Sequence, residues 1–210
     1  MKKELLVALR MTLATLVLTG LVYPLLVTGL AQLLFPWRAN GSVVSAGGRV
    51  VGSELIAQGF KNPAYFQPRP SAAGNDGYDA AGSSGSNFGP TSQKLRDRVA
   101  TDVARLRAEN PQAPAVVPAE LATTSASGLD PHLSPEAALW QVPRVASSRG
   151  VPAADVEALV RAHVEGRTLG LLGEPRVNVL LLNLDLDRRF GPIPRHAAAA
   201  PSVASPRTGA

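Results

Sequence analysis

Between Arg10 and Arg38 the chain carries no charged side chain, and this interval constrains the fold more than any other feature. Met11 to Trp37 is 27 residues, or about 40 Å of helix at about 1.5 Å per residue, enough to cross a hydrocarbon core with some tilt. Inside lipid a single segment satisfies its backbone only as a helix, so a transmembrane helix over 11–37 is predicted. Lys2, Lys3 and Arg10 precede it and only Arg38 follows closely. That bias keeps residues 1–10 in the cytoplasm and sends the C-terminal side across the membrane. Phe35 and Trp37 stand at the far end, where aromatic rings favour the interface. A cleaved signal peptide is the rival reading. It would have an apolar run of only about 7–15 residues ending in a small-x-small site. Gly29-Leu30-Ala31 offers a weak version of such a site after too long a run, so a retained span is expected.

The remainder reads as one α+β domain of mixed helix and strand, 38–187, with a disordered tail over 188–210. The formal charge of +5 is uneven. From Ala39 to Asp187 there are 13 Lys+Arg against 15 Asp+Glu, a net charge of −2, which argues against nucleic-acid binding. The chain has no cysteine, which excludes disulfides, thiolate metal sites and a cysteine nucleophile.

Val43 to Val51 reads as a hairpin turning at Gly47-Gly48, and Ser53 to Phe60 as a helical turn or two. Asn62 to Pro90 is nearly free of periodic apolar residues and rich in Gly, Ser, Asn and Pro, yet Tyr65, Phe66, Tyr78 and Phe88 are spaced through it. A loop this long inside a domain is functional or disordered, and the aromatics favour the first. A helix is expected over Ser92–Asn110, with Leu95, Val99, Val103 and Leu106 on one face. Ser134 and Pro135 open a second, which Pro143 should kink or divide and Gly150 should close. Pro152 opens a third, running to Gly166, and Val177–Asp187 reads as a strand with alternating leucines.

Chemistry is hard to find. Asp130, His132 and Glu136 are near in sequence, but Asp130-Pro131-His132-Leu133-Ser134-Pro135 reads more simply as a turn into a capped helix than as a metal site. His163 faces a helix core and His196 lies in the tail. There is no Gly-x-Ser-x-Gly elbow or Ser-x-x-Lys, and Gly82-Ser83-Ser84-Gly85-Ser86 lacks the lysine and strand of a phosphate loop. The expectation is a protein that acts by contact, with no catalytic residue, metal or cofactor of its own. In the span, Thr12, Thr15 and Thr19 fall on one stripe and make a candidate face for a partner helix. The alternative is that each hydroxyl bonds its own i−4 carbonyl.

Three stretches carry a family likeness. Tyr65-Phe66-Gln67-Pro68-Arg69-Pro70-Ser71-Ala72 precedes Ser84-Gly85-Ser86-Asn87-Phe88-Gly89-Pro90-Thr91. Thr124-Ser125-Ala126-Ser127-Gly128-Leu129-Asp130-Pro131-His132-Leu133-Ser134-Pro135 continues through Gln141-Val142-Pro143-Arg144. Gly173-Glu174-Pro175-Arg176-Val177-Asn178-Val179 leads to Leu182-Asn183-Leu184-Asp185-Leu186-Asp187. With the single span, residues 5–187 resemble the C subunit of the Kdp system, the bacterial high-affinity potassium-transporting P-type ATPase.

The resemblance implies a four-subunit inner-membrane complex. The partners would be a potassium-conducting subunit, an ATP-hydrolysing pump subunit and a small peptide subunit, with membrane lipid around the span. It also implies a role in assembly and as a catalytic chaperone that promotes ATP binding by the pump subunit, where ATP acts. In that picture Ser125, Ser127 and Gly128 are nucleotide-contacting candidates. The charge bias disagrees, because it places residues 39 onward outside the cytoplasm, and any effect on ATP would then be indirect. The expected reading is an accessory subunit docked through the Tyr65–Thr91 loop, with Tyr65, Phe66, Arg69, Ser86 and Asn87 as contact candidates. The alternative is a nucleotide-binding regulator or enzyme with a cytosolic domain.

Overall fold

A computed structural model describes residues 1–193. Lys2–Leu34 is one helical run of 33 residues; its most apolar 18-residue stretch has a mean hydropathy of 2.1, and none of that stretch is buried. It starts nine residues before the expected span and ends three residues short of it. It comprises α1 (Lys2–Val17), a π turn (Leu18–Val22) and α2 (Tyr23–Leu34). Pro24 explains the π turn: it has no N–H to give the carbonyl of Gly20, and a wider turn relieves the clash between ring and carbonyl. A short helix α3 (Pro36–Ala39) then turns the chain into the domain.

Strands β1 (Val43–Ala46) and β2 (Arg49–Ser53) form the expected hairpin, with Gly47 and Gly48 at φ 58° and 74°. Strand β2 runs to Ser53 and a turn follows, so Ser53–Phe60 is not helical. Helix α4 (Gln93–Glu109) is capped by Ser92, whose Oγ accepts from Leu95 N–H. It meets the core at one end: Leu106 is buried, while Leu95, Val99 and Val103 are only half-buried. Helix α5 (Ala119–Ala122) was not anticipated.

The core lies between helices α6 (Pro135–Arg149), α7 (Ala153–Ala162) and α8 (Val179–Phe190) and a small antiparallel sheet. The sheet has β5 (Arg176–Asn178) in the centre, flanked by β3 (His132–Leu133) and β4 (Val164–Glu165). Ser134 caps α6 and Gly150 ends it at φ 66°, as expected, but Pro143 sits inside a single helix and does not divide it. Helix α7 stops at Ala162, so Val164 belongs to a strand.

The largest departure is Val177–Asp187. Only Arg176–Asn178 is strand, and the leucine run is helix α8. Asn178 caps it, its Oδ1 accepting from Leu181 N–H, and leucine favours helix where a β-branched residue would favour strand. Val179, Leu182 and Leu186 are buried at helical spacing, so the alternation of leucines is only half of the pattern. The helix includes Arg188, Arg189 and Phe190, so the expected disordered tail does not begin at 188. Residues 194–210 of that tail, with His196, lie outside the described residues.

Residues 63–67 have no strand partner and are held by side chains. Phe66 N–H donates to Asn183 Oδ1 (2.9 Å), and Asn183 Nδ2 donates back to Phe66 O (2.9 Å). Gln67 N–H donates to Gln141 Oε1 (2.9 Å), and Gln141 Nε2 returns to Gln67 O (3.0 Å). Asn183→Ala would leave two buried backbone groups unpaired at about 1–3 kcal/mol each. Asn183→Ala in the full chain is therefore expected to lower the thermal midpoint by several degrees, and an unchanged midpoint would contradict this clamp.

Candidate functional site

The clamp delivers the chain to a loop that folds onto residues 124–130. Arg144 Nη1 donates to the carbonyls of Pro63 and Tyr65, and Arg149 Nε to that of Ala64 (2.7 Å). Burial pushes the Arg144 guanidinium down to about 10, which leaves it protonated at neutral pH. Beyond Gln67, Ser71 is the hub. Its Oγ donates to Gly128 O (2.6 Å) and accepts from the N–H groups of Ala73 (3.1 Å) and Tyr78 (2.8 Å). The Tyr78 hydroxyl donates to Arg69 O (2.9 Å), and burial pushes its pKa up to about 12.

The two family stretches then run side by side. Ser84 N–H and Ser83 Oγ both donate to Ser127 O (2.9 and 3.0 Å), and Thr124 Oγ1 donates to Ser86 Oγ (3.1 Å). Two glycines allow this closeness. A Cβ on Gly85 would lie 2.8 Å from Ala126 O, and one on Gly128 would lie 2.6 Å from Ser84 O at a φ of 69°. The result is one surface assembled from residues 69–90 and 124–130, with Asn87 and Phe88 exposed at its edge. Asn87 holds φ 52°, and the Arg98 guanidinium lies 5.5 Å from the centre of the Phe88 ring.

The contact candidates separate. Phe66 is fully buried in the core, so its side chain cannot meet a partner, and that expectation is corrected: the residue is a plug. Tyr65 is half-buried, its hydroxyl donating to Asp187 Oδ2 (2.9 Å) and its ring 4.8 Å from the Arg149 guanidinium; burial raises its pKa. Arg69 Nη2 donates to Thr124 O (3.2 Å), and its Nη1 is 3.5 Å from Asp130 Oδ2. Ser86 is half-buried, and Asn87 alone of the five is open to solvent.

Ser125 is buried, and its carbonyl accepts from Gly128 N–H (3.3 Å). Ser127 Oγ accepts from Leu129 N–H (3.1 Å). These two amides bond within the stretch, while the carbonyls of Ser127 and Gly128 serve the joint between the two segments. In the span, Thr15 Oγ1 donates to Met11 O and Thr19 Oγ1 to Thr15 O, both at 2.8 Å, so two of the three stripe hydroxyls bond their own helix.

Asp130 Oδ1 accepts from His132 N–H (3.0 Å), and the His132 ring beside it holds the carboxyl below its usual range despite burial. Among the described residues no group of three or more His, Cys, Asp or Glu is placed to hold a metal. His163 Nδ1 lies 3.0 Å from Leu159 O, a structural role. Sequence reading missed Ser71, Gln141, Arg144 and Asn183. The available signal was a polar residue inside an apolar helix face, as at Gln141 beside Trp140 and Val142 and Asn183 among leucines.

A family described as KdpC, the K+-transporting ATPase c chain, matches residues 5–188. A Myxococcus xanthus protein named potassium-transporting ATPase KdpC subunit is 66% identical over 206 residues, covering 98% of this chain and 97% of its own. A relative of the same name from Koribacter versatilis is 57% identical over 187 residues, covering 89% and 95%. One from Bradyrhizobium diazoefficiens is 54% identical over 199 residues, covering 90% and 98%.

The glycine joint makes a local prediction. Gly128→Ala places a Cβ against Ser84 O and costs about 1–3 kcal/mol in a left-handed conformation. Hydrogen exchange at the Ser84 amide should speed roughly ten- to hundredfold while the Asn110 amide, bonded inside the helical body, stays protected. Equal acceleration at both sites would mean that the joint is no separate unit.

Proposed function

The chain belongs to the KdpC family, the c chain of K+-transporting ATPases, and on that premise we propose that it is a non-catalytic accessory subunit that stabilises the assembled complex. Its partners in this reading are the potassium-conducting subunit, the ATP-hydrolysing pump subunit and the small peptide subunit. The domain lies on the outer side of a bacterial inner membrane, and the single N-terminal span holds it there. The observation that supports docking is the joint of 69–90 with 124–130, which presents Asn87 and Phe88 on a braced surface. Phe88 is 40% exposed, and aromatic rings are frequent anchors of protein contacts. The contact surface proposed here is therefore narrower than the whole loop: Asn87 and Phe88 touch the partner, while Tyr65, Phe66, Arg69 and Ser86 shape the support. The Thr12, Thr15 and Thr19 stripe contributes by small size, letting a partner span approach closely.

ATP stays with the pump subunit in this proposal, and any promotion of ATP binding is indirect. The competing nucleotide-binding reading rests on Ser125, Ser127 and Gly128; the carbonyls of all three, the Ser127 hydroxyl and the Gly128 amide are already bonded within the domain.

Two experiments test the proposal. Asn87→Ala with Phe88→Ala should release the full chain from its complex on co-purification while its own melting temperature changes little. Loss of about 2 kcal/mol or more of docking is expected if these side chains are central to the contact. A double variant that folds and still co-purifies would sink the docking surface. For orientation, a phosphatase joined after Ala210 should be active and a fluorescent protein there dark. The opposite pattern would favour the cytosolic nucleotide-binding alternative.

A further inference from the structure

The loop between β4 and β5 carries Leu169, Leu171 and Leu172, which are 87%, 79% and 64% exposed. This loop is braced. Thr168 N–H donates to Leu172 O (2.8 Å) and Leu172 N–H to Thr168 O (3.0 Å). Arg167 Nη2 lies 2.7 Å from Glu174 Oε2, and Arg176 Nη2 lies 3.0 Å from Glu165 Oε2, closing the stem twice. Leu169 holds φ 54°, which a bulky side chain adopts only where the surrounding chain dictates it. Three leucines displayed on a fixed scaffold mark a surface that is covered in use.

The position of the stem identifies the cover. Glu165 and Arg176 line a cavity of about 600 Å³ together with Trp37, Arg38 and Leu55. Trp37 comes three residues after the end of α2, so it stands where the span leaves the hydrocarbon. No slack linker follows. Trp37 Nε1–H donates to Val43 O (3.3 Å), Ser42 N–H to Trp37 O (3.1 Å), and Ser53 Oγ to Gly41 O (2.7 Å). The stem thus stands beside the interfacial end of the span, and the leucines extend from it. Arg38, Arg167 and Arg176 accompany them. The base of the loop is charge-balanced, with Arg167 and Arg176 paired to Glu174 and Glu165, so its apolar tip is the part suited to the boundary between headgroups and acyl chains.

We propose that this leucine loop is a second membrane contact. Leu169, Leu171 and Leu172 enter the boundary between headgroups and acyl chains where the span emerges, with Arg38 at the level of the lipid phosphates. The inference goes beyond the accessory role and rests only on the N-terminal helix being a span.

The absence of cysteine makes the test direct, since one introduced thiol labels one site. Full chain carrying Leu171→Cys with an environment-sensitive fluorophore is reconstituted in vesicles of phosphatidylethanolamine and phosphatidylglycerol. Leu26→Cys in the span and Ser147→Cys on the exposed part of α6 serve as references. The Leu171 label should shift to the blue and lose most of its emission to lipids carrying a nitroxide near the headgroup, while the Ser147 label answers only to aqueous iodide. If the Leu26 label is quenched by lipid and the Leu171 label only by iodide, the second contact is wrong and the span stands. If neither is quenched by lipid, the span fails and the proposal with it. If the Leu171 label becomes shielded only in the assembled complex, the loop is a protein contact and the bilayer assignment is overturned.

Discussion

Two buried amides, Asn183 on α8 and Gln141 on α6, decide where the rest of this domain goes. Each pairs both backbone groups of one residue, Phe66 and Gln67, in the way a neighbouring strand would. Buried backbone polar groups must find partners, and a segment crossing the face of two helices has no strand to supply them. Side-chain amides are suited to this because one group carries a donor and an acceptor. Arg144 and Arg149 complete the arrangement by taking the carbonyls of residues 63–65. Once the backbone is fixed there, Phe66 must enter the core and Tyr65 must lie against Arg149, so the glycine-rich loop beyond has a fixed root.

The same economy joins the span to the core. Asn178 caps α8 with its Oδ1 and donates Nδ2–H to Glu54 O (2.7 Å). Glu54 N–H in turn donates to Ser42 O, and Ser42 N–H to Trp37 O. A hydrogen-bonded path therefore runs from the end of the membrane helix to the cap of the central helix, and α8 carries Asn183. Hydrogen bonds as well as chain connectivity thus tie the end of the span to the domain that carries the leucine loop and the clamped loop. A partner that shifts one of them must shift the others or break this path.

Local signals in the sequence were readable where one residue type sets one geometry. Ser134 as a cap, Gly150 as a helix stop and Gly47-Gly48 as a hairpin turn each act through their own backbone, and each is found in place. The α+β class and the single apolar helix followed from composition and periodicity. Failures came where two periods fitted the same residues. Leu180 to Asp187 alternates like a strand, yet buried Val179, Leu182 and Leu186 are spaced for a helix, and Asn178 decides in favour of the helix by capping it. The candidate loop was visible as a loop, but not which of its side chains face inward. Phe66 and Phe88 look alike in sequence; only the partners of the surrounding backbone, more than 70 residues away, bury the first and leave the second outside.

In the accessory role proposed above, the domain has one physical means of affecting ATP at a distant site. It must bind one conformation of the complex better than another, and it shifts the equilibrium by no more than that difference. The demand is small. A tenfold rise in apparent ATP affinity needs only about 1.4 kcal/mol of differential binding. One or two side chains at a contact supply that much when they are desolvated in one state and wet in the other. What the mechanism does require is stiffness, because a slack domain would follow its partner and bind both states alike. The clamp by Asn183 and Gln141, the glycine joint at Gly85 and Gly128, and the path from Trp37 to Asn178 all supply stiffness. In this reading the Ser/Gly stretch that resembles a nucleotide-contacting signature serves ATP only by keeping Asn87 and Phe88 in place.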